Sequence, residues 1–286
     1  MKKQILISVF ILPFLLMSFV SKDKKKIKEP VFSIKTIDKS VAKITDSLYA
    51  GKFEVSNLLY RYFGKDIVNE NKKDLLKNIQ IDSLNWRDKL EYNEPMVEYY
   101  FRHPAYQNYP VVNISYDAAN LFCKWLTDKY NSNPKRKFKK VLFRLPTEKE
   151  WEKAATGSFD FSAYPWGPYL YQNGHFMCNF RRIGDECVKY DSLSKSYQID
   201  FDCGHNGIGS LLDAADLTAP VSSYFPNSYG LYNVCGNVAE MVQEKGISCG
   251  GGWKSPGADV RTKSRGHYTK SATDLGFRYF MEIIEK

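Results

Sequence analysis

Two oxygen-bearing side chains, Asn233 and Glu240, flank a run of turn-forming residues in the segment PNSYGLYNVCGNVAEMV (residues 226–242). Asn, Gly and Pro are too dense there for a long regular element, so the segment predicts a tightly folded loop. In such a loop, backbone carbonyls turn outward, here at Gly236 and Val238. One carboxylate, one amide oxygen and several carbonyls suit calcium. Solvation and turn capping are the commoner uses of Asn and Glu, and spacing alone leaves both interpretations open.

Closely spaced glutamates form a second candidate group in FRLPTEKEWEKAA (residues 143–155). Thr147 and Glu150 have the spacing of a capping box, in which each side chain accepts from the other residue's backbone N–H. Pro146 precedes this helix start, and the helix is expected to end near Gly157. The helix dipole favours carboxylates in the first turn. The pattern therefore favours helix-start electrostatics over catalysis for three residues: Glu148, Glu150 and Glu152.

These two stretches, with CGGGW (249–253) and GFR (276–278), resemble motifs of the sulfatase-modifying-factor family, whose founding members are formylglycine-generating enzymes. Further stretches are similar to family motifs in the same order, at residues 51–63, 109–126, 164–167 and 217–227. The resemblance implies an α+β, loop-rich, C-type-lectin-like fold with little regular secondary structure. It also implies one domain over residues 41–286. The charge and hydropathy pattern of the N-terminus predicts a signal peptide or anchor (1–21) and a charged linker (22–40) before it.

The resemblance implies two calcium sites, and Ca²⁺ is the cofactor that we expect. The ligand positions of the first site match the loop described above, at Asn233, Gly236, Val238 and Glu240. The ligand positions of the second site match two side chains and two backbone carbonyls, at Asn179, Phe180, Asp213 and Ala215.

Formylglycine-generating enzymes bind copper through a pair of cysteine thiolates that follows a GGSW motif. Aligned from Gly250, the two cysteine positions are Ser255 and Val260, and the serine of GGSW is Gly252. A hydroxyl stays protonated near neutral pH and binds monovalent copper poorly, and valine offers no donor. Copper is therefore not expected, formylglycine-generating activity is predicted to be absent, and no catalytic residue is assigned.

Two functional hypotheses follow from the resemblance. In the first, the chain is a non-catalytic binding or scaffold component of the bacterial cell envelope with a protein partner or peptide ligand. Residues 99–130 are similar to gliding-motility and secretion lipoproteins of the family, although the lipid-bearing cysteine of those proteins is missing. The alternative is an oxidoreductase or other enzyme of this family with a non-standard active site. Its available polar groups are Cys249, Ser255, Arg261 and Arg265.

The N-terminus is typical of a signal sequence, because Lys2 and Lys3 precede an apolar run at residues 5–20. The run is short for a membrane span. It predicts export to the periplasm or cell envelope, with membrane contact only through this segment if it stays uncleaved. Export permits disulfides, but sequence does not choose the pairs among six cysteines: Cys123, Cys178, Cys187, Cys203, Cys235 and Cys249.

The net charge of +9 over 286 residues comes partly from basic clusters near residues 22–28 and 134–140. No nucleic-acid-binding motif accompanies them, so solvated loops are favoured and no nucleic-acid partner is expected. Aromatic residues make up 15% of the chain, which suits a loop-rich fold that packs through flat side chains.

The remaining pattern predicts where the main elements begin. Ser56 and Ser115 are expected to cap helices. A buried strand is predicted over residues 109–114, and residues 69–98 form a polar insertion. Cys123 is expected on the buried face of the Ser115-capped helix. Arg278 of the GFR motif is expected to tie loops together.

Overall fold

The computed structural model describes residues 32–87, 93–158, 162–181, 188–199, 215 and 217–286. A compact unit extends over Phe32–Lys286, so it begins before residue 41, where the motifs place the domain start. Its first helix buries Ile34 and Ile37 in the core. The predicted signal segment lies outside the described residues. Within the described part, no helix is both long and apolar enough to cross a bilayer.

The regular elements are short and are separated by long connections. The helices are α1 (Ile34–Lys39), α2 (Asn57–Asn69), α3 (Lys73–Leu76), α4 (Glu94–Arg102), α5 (Tyr116–Ser132) and α6 (Glu148–Thr156). Single 3₁₀ turns occupy Ser83–Trp86, Pro104–Tyr106 and Gly257–Val260. The strands are β1 (Val41–Lys43), β2 (Leu48–Gly51), β3 (Lys140–Arg144), β4 (Tyr171–Gln172), β5 (His175–Phe176), β6 (Val188–Asp191), β7 (Ser196–Ile199), β8 (Ala239–Met241), β9 (Ile247–Cys249), β10 (Arg265–His267), β11 (Leu275–Gly276) and β12 (Phe280–Glu285).

The first four-stranded sheet has the order β1-β2-β12-β3. The last strand, β12, pairs antiparallel with both neighbours, so Phe280 lies opposite Ala50 and Arg144. Phe280 and Met281 are buried. The sheet therefore joins the first and last parts of the compact unit, and α5 packs against β3.

Helix α5 begins as the sequence predicts. The Ser115 hydroxyl accepts from the backbone N–H of Ala118 at 3.1 Å, and Cys123 lies on the buried face of the helix. Phe122 of that face is in edge contact with the rings of Phe63 and Phe277. Because Ser56 likewise caps α2, both serine-based predictions are confirmed.

Helix α6 begins with the predicted capping box. The backbone N–H of Glu150 donates to the Thr147 hydroxyl at 3.2 Å, and that of Thr147 donates to the Glu150 carboxylate at 2.9 Å. Arg144 donates two further hydrogen bonds of 2.7 Å to Glu150 and lowers the pKa of its carboxyl. The helix ends at Gly157, where φ is +60°. The structural interpretation of Glu150 is confirmed.

The strand predicted over residues 109–114 is absent, and that prediction is wrong. Pro110 makes only an isolated bridge with Ser56. Val111 and Asn113 donate their backbone N–H groups to two different segments, at Val55 and Ala272. Asn113 also has a φ of +61°, which interrupts an extended run. Its apolar residues are nevertheless buried as expected: Val111, Val112 and Ile114.

The insertion at residues 69–98 contributes helix and core as well as polar surface. It contains α3, the turn Ser83–Trp86 and the start of α4. Trp86 is buried and packs between the rings of Tyr100 and Trp253. Part of this segment therefore belongs to the hydrophobic core of the domain.

The second four-stranded sheet has the order β10-β9-β8-β11. Strand β11 runs parallel to β8, with Gly276 opposite Glu240. The residue two positions beyond Gly276 is Arg278, so this register brings its side chain toward the Glu240 carboxylate.

Candidate functional site

The loop at residues 226–238 contains no helix or strand, as its composition predicts. Four of its residues have left-handed backbone conformations: Gly230 at φ +78°, Asn233 at +51°, Gly236 at +74° and Asn237 at +63°. An added Cβ at Gly236 would lie 2.3 Å from the backbone oxygen of Asn179. Glycine is therefore required at this close approach.

A buried carboxylate, that of Glu54, holds two amides of this loop. Asn237 donates to both Glu54 oxygens at 3.0 and 2.9 Å, and Asn233 donates to one of them at 3.1 Å. Burial raises the pKa of Glu54 to about 8; the nearby charge of Glu240 adds to the rise, and Arg278 opposes it. Sequence reasoning missed Glu54, although it lies within the matched stretch at residues 51–63.

Glu240 and Arg278 form an ion pair in which each side chain is 1% exposed. Arg278 Nη2 donates to Glu240 Oε1 at 2.7 Å, and Trp151 Nε1 donates to Oε2 at 2.7 Å. Arg278 also donates to the carbonyls of Gly51 and Tyr232, which confirms its loop-tying role. We refer to Glu54, Asn233, Asn237, Glu240 and Arg278 as the buried polar cluster.

The amide of Asn233 presents its oxygen as an unused acceptor. Its nitrogen donates to Glu54 and to the carbonyls of Pro220 and Val221, at 3.4 and 3.2 Å. These acceptors fix the orientation of the amide. Its Oδ1 is buried and has no hydrogen-bond partner among the described residues. Because an unpaired buried acceptor is costly, a cation ligand position fits this atom.

One residue of the second predicted calcium set, Asn179, contacts the loop of the first set. The backbone oxygen of Asn179 accepts from Asn237 N at 2.7 Å, and the Asn179 side chain donates to the carbonyl of Leu217 at 2.7 Å. Phe180 is buried. Ala215 belongs to the described residues, whereas Asp213 lies outside them.

The two positions aligned with the copper cysteines lie in different turns, Ser255 in a turn with Gly252 and Val260 in the 3₁₀ turn Gly257–Val260. Ser255 Oγ accepts from the backbone N–H of Gly252 at 3.0 Å, and Ser255 N donates to the Gly252 carbonyl at 2.9 Å. Val260 is fully buried. A Cβ at Gly252 would lie 2.7 Å from the backbone oxygen of Asp274, so the family's serine would not fit without a shift of backbone.

The profile of the family described as "Sulfatase-modifying factor enzyme 1-like domain" matches residues 33–283. The chain belongs to this family. The match covers most of the described unit, from α1 to the first four residues of β12, and it confirms the resemblance that the motifs indicate.

Relatives of this sulfatase-modifying factor domain include proteins named as formylglycine-generating enzymes and proteins named as inactive forms. The formylglycine-generating enzyme of Thermomonospora curvata is 35% identical over 137 residues, which are 48% of this chain and 34% of that protein. The "Inactive C-alpha-formylglycine-generating enzyme 2" of Bos taurus is 27% identical over 177 residues, 59% of this chain and 45% of that protein. The matched segments thus span less than half of these relatives.

A solved structure, that of CarF, shares the fold. The two chains are 20% identical, with a TM-score of 0.52, and the match covers 82% of this chain and 86% of CarF. The sulfatase-modifying factor domain thus has the mixed, loop-rich α+β fold of the formylglycine-generating-enzyme type, with few regular elements.

The other polar groups near the former copper positions of this family member are engaged in structural contacts. Arg265 bridges two glutamates of α6, Glu148 at 2.9 Å and Glu152 at 2.6 Å. Arg261 Nε donates to the carbonyl of Ala258. Burial raises the pKa of Cys249 to about 12, although the nearby Arg265 lowers it. The thiol therefore stays protonated at neutral pH and is a weak nucleophile.

Proposed function

We propose that this chain is a non-catalytic sulfatase-modifying factor domain that is exported, is braced by calcium, and serves as a binding or scaffold component of the bacterial cell envelope. One observation carries the non-catalytic part. The two positions that would hold copper are a serine engaged with its own backbone turn and a fully buried valine, Ser255 and Val260.

Loss of copper chemistry is supported by donor type. Activation of oxygen by monovalent copper needs soft, deprotonated sulfur. Neither Ser255 nor Val260 supplies it, and the nearby thiol of Cys249 is buried and protonated. The backbone at Gly252 has closed over the space of the family's serine side chain. The Bos taurus relative is named as inactive, so the family includes a protein that is named as lacking formylglycine-generating activity.

Calcium is supported by the donor set of the loop. The residues that would hold the first ion are Asn233, Gly236, Val238 and Glu240. Asn233 offers an orphaned buried oxygen. The cluster also contains two carboxylates, Glu54 and Glu240, against one guanidinium. A bound cation would offset the cost of ionising the buried Glu54, whose pKa burial raises to about 8, and would brace the loop against its neighbours.

The envelope role rests on the sequence. The signal-like N-terminus supports export, and residues 99–130 are similar to gliding-motility and secretion lipoproteins. With no catalytic group assigned, the face of the former active site is proposed to bind a protein partner or peptide. Mass spectrometry of the mature N-terminus in the envelope fraction tests export: loss of the segment supports cleavage, and an intact Met1 in that fraction supports the anchor. Recovery of the protein from the cytoplasm alone would contradict the proposal.

The decisive experiment is conversion of a peptide that carries the CxPxR motif. Purified protein, loaded with copper, is expected to give no formylglycine above a metal-only blank. A formylglycine-generating enzyme with both cysteines serves as the positive control. The variant Ser255→Cys/Val260→Cys restores the thiols, but it is expected to stay inactive because Gly252 leaves no room for the missing serine. Turnover by the wild-type chain would overturn the proposal.

A further inference from the structure

A cleft of about 820 Å³ lies between α2, α4 and the segment at residues 76–83. Its volume falls within the range of small-molecule sites in proteins. It is separate from the buried polar cluster and from the former copper positions, and none of their residues line it. Its properties thus stand independently of the proposed function.

Gly64, in the interior of α2, leaves one wall of the cleft open. Glycine has one of the lowest helix propensities, so a glycine in a helix interior needs a structural explanation. An added Cβ at Gly64 would meet no atom within 4 Å. Neither packing nor backbone conformation therefore requires glycine at this position. Its structural effect is to keep side-chain volume out of the cleft.

The exposed surface of the cleft is mainly apolar, although polar side chains, among them Lys65, also line it. Ile79 and Val97 are buried and Phe101 is partly buried, whereas Val68 is 58% exposed on the same side of α2. When a ligand covers apolar surface of this kind and removes it from water, the free energy of the complex is lowered. The walls consequently suit an apolar chain or ring.

Arg61 adds a cationic end to this apolar cleft. Its Nη1 donates to the carbonyl of Phe101 at 2.7 Å, which fixes the side chain. Its Nε is closed to solvent and has no acceptor among the described residues, and its Nη2 makes no hydrogen bond to any of them, so the guanidinium keeps unused donors. A charged donor without a partner favours binding of an anion, because hydrogen bonds between oppositely charged groups are stronger than those between neutral groups. The described lining residues include no Asp or Glu, and Arg102 at the rim pairs with Glu98.

We propose that this cleft binds a single-chain amphiphile with a carboxylate head. The head lies at Arg61, and the apolar chain runs past Gly64 against the walls from α2 and α4. Cationic amphiphiles are excluded because they would bring a second positive charge to the same end.

The experiment uses dodecanoate as the probe, with dodecyltrimethylammonium as the cationic match, both below their micellar concentrations and with the full chain. Dodecanoate is expected to raise the melting temperature and to give saturable binding in calorimetry. Arg61→Gln is expected to weaken dodecanoate binding about tenfold or more, since it removes a charge-assisted hydrogen bond. Arg61→Lys keeps the charge and should retain part of the affinity.

Gly64→Leu separates binding from folding. Leucine is a better helix residue than glycine and enters open space, so this variant should melt no lower than wild type while losing dodecanoate binding. Lys124→Gln, an exposed lysine on α5 away from this cleft, is the charge control and should bind normally. Equal binding of the two amphiphiles, or unchanged affinity in Gly64→Leu, would overturn the proposal.

Discussion

The buried polar cluster and the former copper positions are neighbours with opposite chemistry. Trp253 N donates to the carbonyl of Asn237 at 2.9 Å, which connects the two regions directly. On one side lie carboxylates, amides and a guanidinium in mutual contact. On the other side lie a glycine, a serine bonded to its own turn, and a buried valine: Gly252, Ser255 and Val260.

We infer that the fold depends on the first region, whereas the second corresponds to the copper-binding positions of formylglycine-generating enzymes. A buried charged network must stay complete, because removing one partner leaves another charge without compensation. The described residues at the positions aligned with the copper cysteines include no buried charge that would need a partner. The four predictions that follow test this contrast, from the largest expected effect to the smallest.

Arg278→Met should produce the largest loss. It leaves Glu240 buried without its cation, and the free energy of unfolding should fall by about 3–5 kcal/mol in urea titration. Arg261→Met is the control, since Arg261 is exposed and its Nε bonds one carbonyl. If both variants lose the same stability, the buried polar cluster is not the critical region.

Removal of calcium should give the next effect. Calcium at about a hundred times its dissociation constant should add about 2.7 kcal/mol to the free energy of unfolding, so a chelator should lower the melting temperature. Asn233→Ala removes the orphaned oxygen and should abolish the response.

Asn131→Ala is the matched control for that calcium experiment. Asn131 makes two hydrogen bonds with the backbone of Val141, outside the cluster. This variant should melt at a lower temperature yet keep its full response to calcium. An unchanged melting curve after chelation of the wild-type protein would contradict the calcium site.

Gly252→Ser should destabilise through crowding. The new Cβ would press on the backbone oxygen of Asp274, with a cost of about 1–3 kcal/mol in denaturant titration. Gly64→Ser is the comparison, because its Cβ meets nothing within 4 Å. Equal stability of Gly252→Ser and wild type would show that the serine pocket of the family is still open here.

Ser255→Ala should have the smallest effect. It removes one partly buried hydrogen bond to Gly252 N, which is worth about 1 kcal/mol or less. The urea midpoint should shift slightly, with an unchanged slope. A loss comparable to that of Arg278→Met would erase the contrast between the two regions.

The sequence predicted best where the causes are local. The caps at Ser56, Ser115 and Thr147 depend on hydrogen bonds within a few residues, and the structure confirms all three. The density of turn-forming residues likewise predicted the irregular loop that contains Asn233 and Gly236.

Features that depend on distant contacts escaped prediction. The apolar residues at 111–114 are buried, as in the predicted strand, but the backbone of this segment bonds to separate parts of the chain instead of to one neighbouring strand. The residues next to Glu54 in the sequence do not distinguish it from a surface glutamate. Its hydrogen-bond partners, Asn233 and Asn237, lie far along the chain. Tertiary pairing, which a single sequence does not display, decided both cases.

The central position of β12 in the first sheet has a consequence for biogenesis. β2 obtains its inner partner only when Phe280–Glu285 has been made, so the sheet cannot close while the ribosome still holds that strand. Contacts this remote in sequence also slow folding. Nascent chains stalled before residue 280 should therefore remain sensitive to protease, and chains released after it should become resistant.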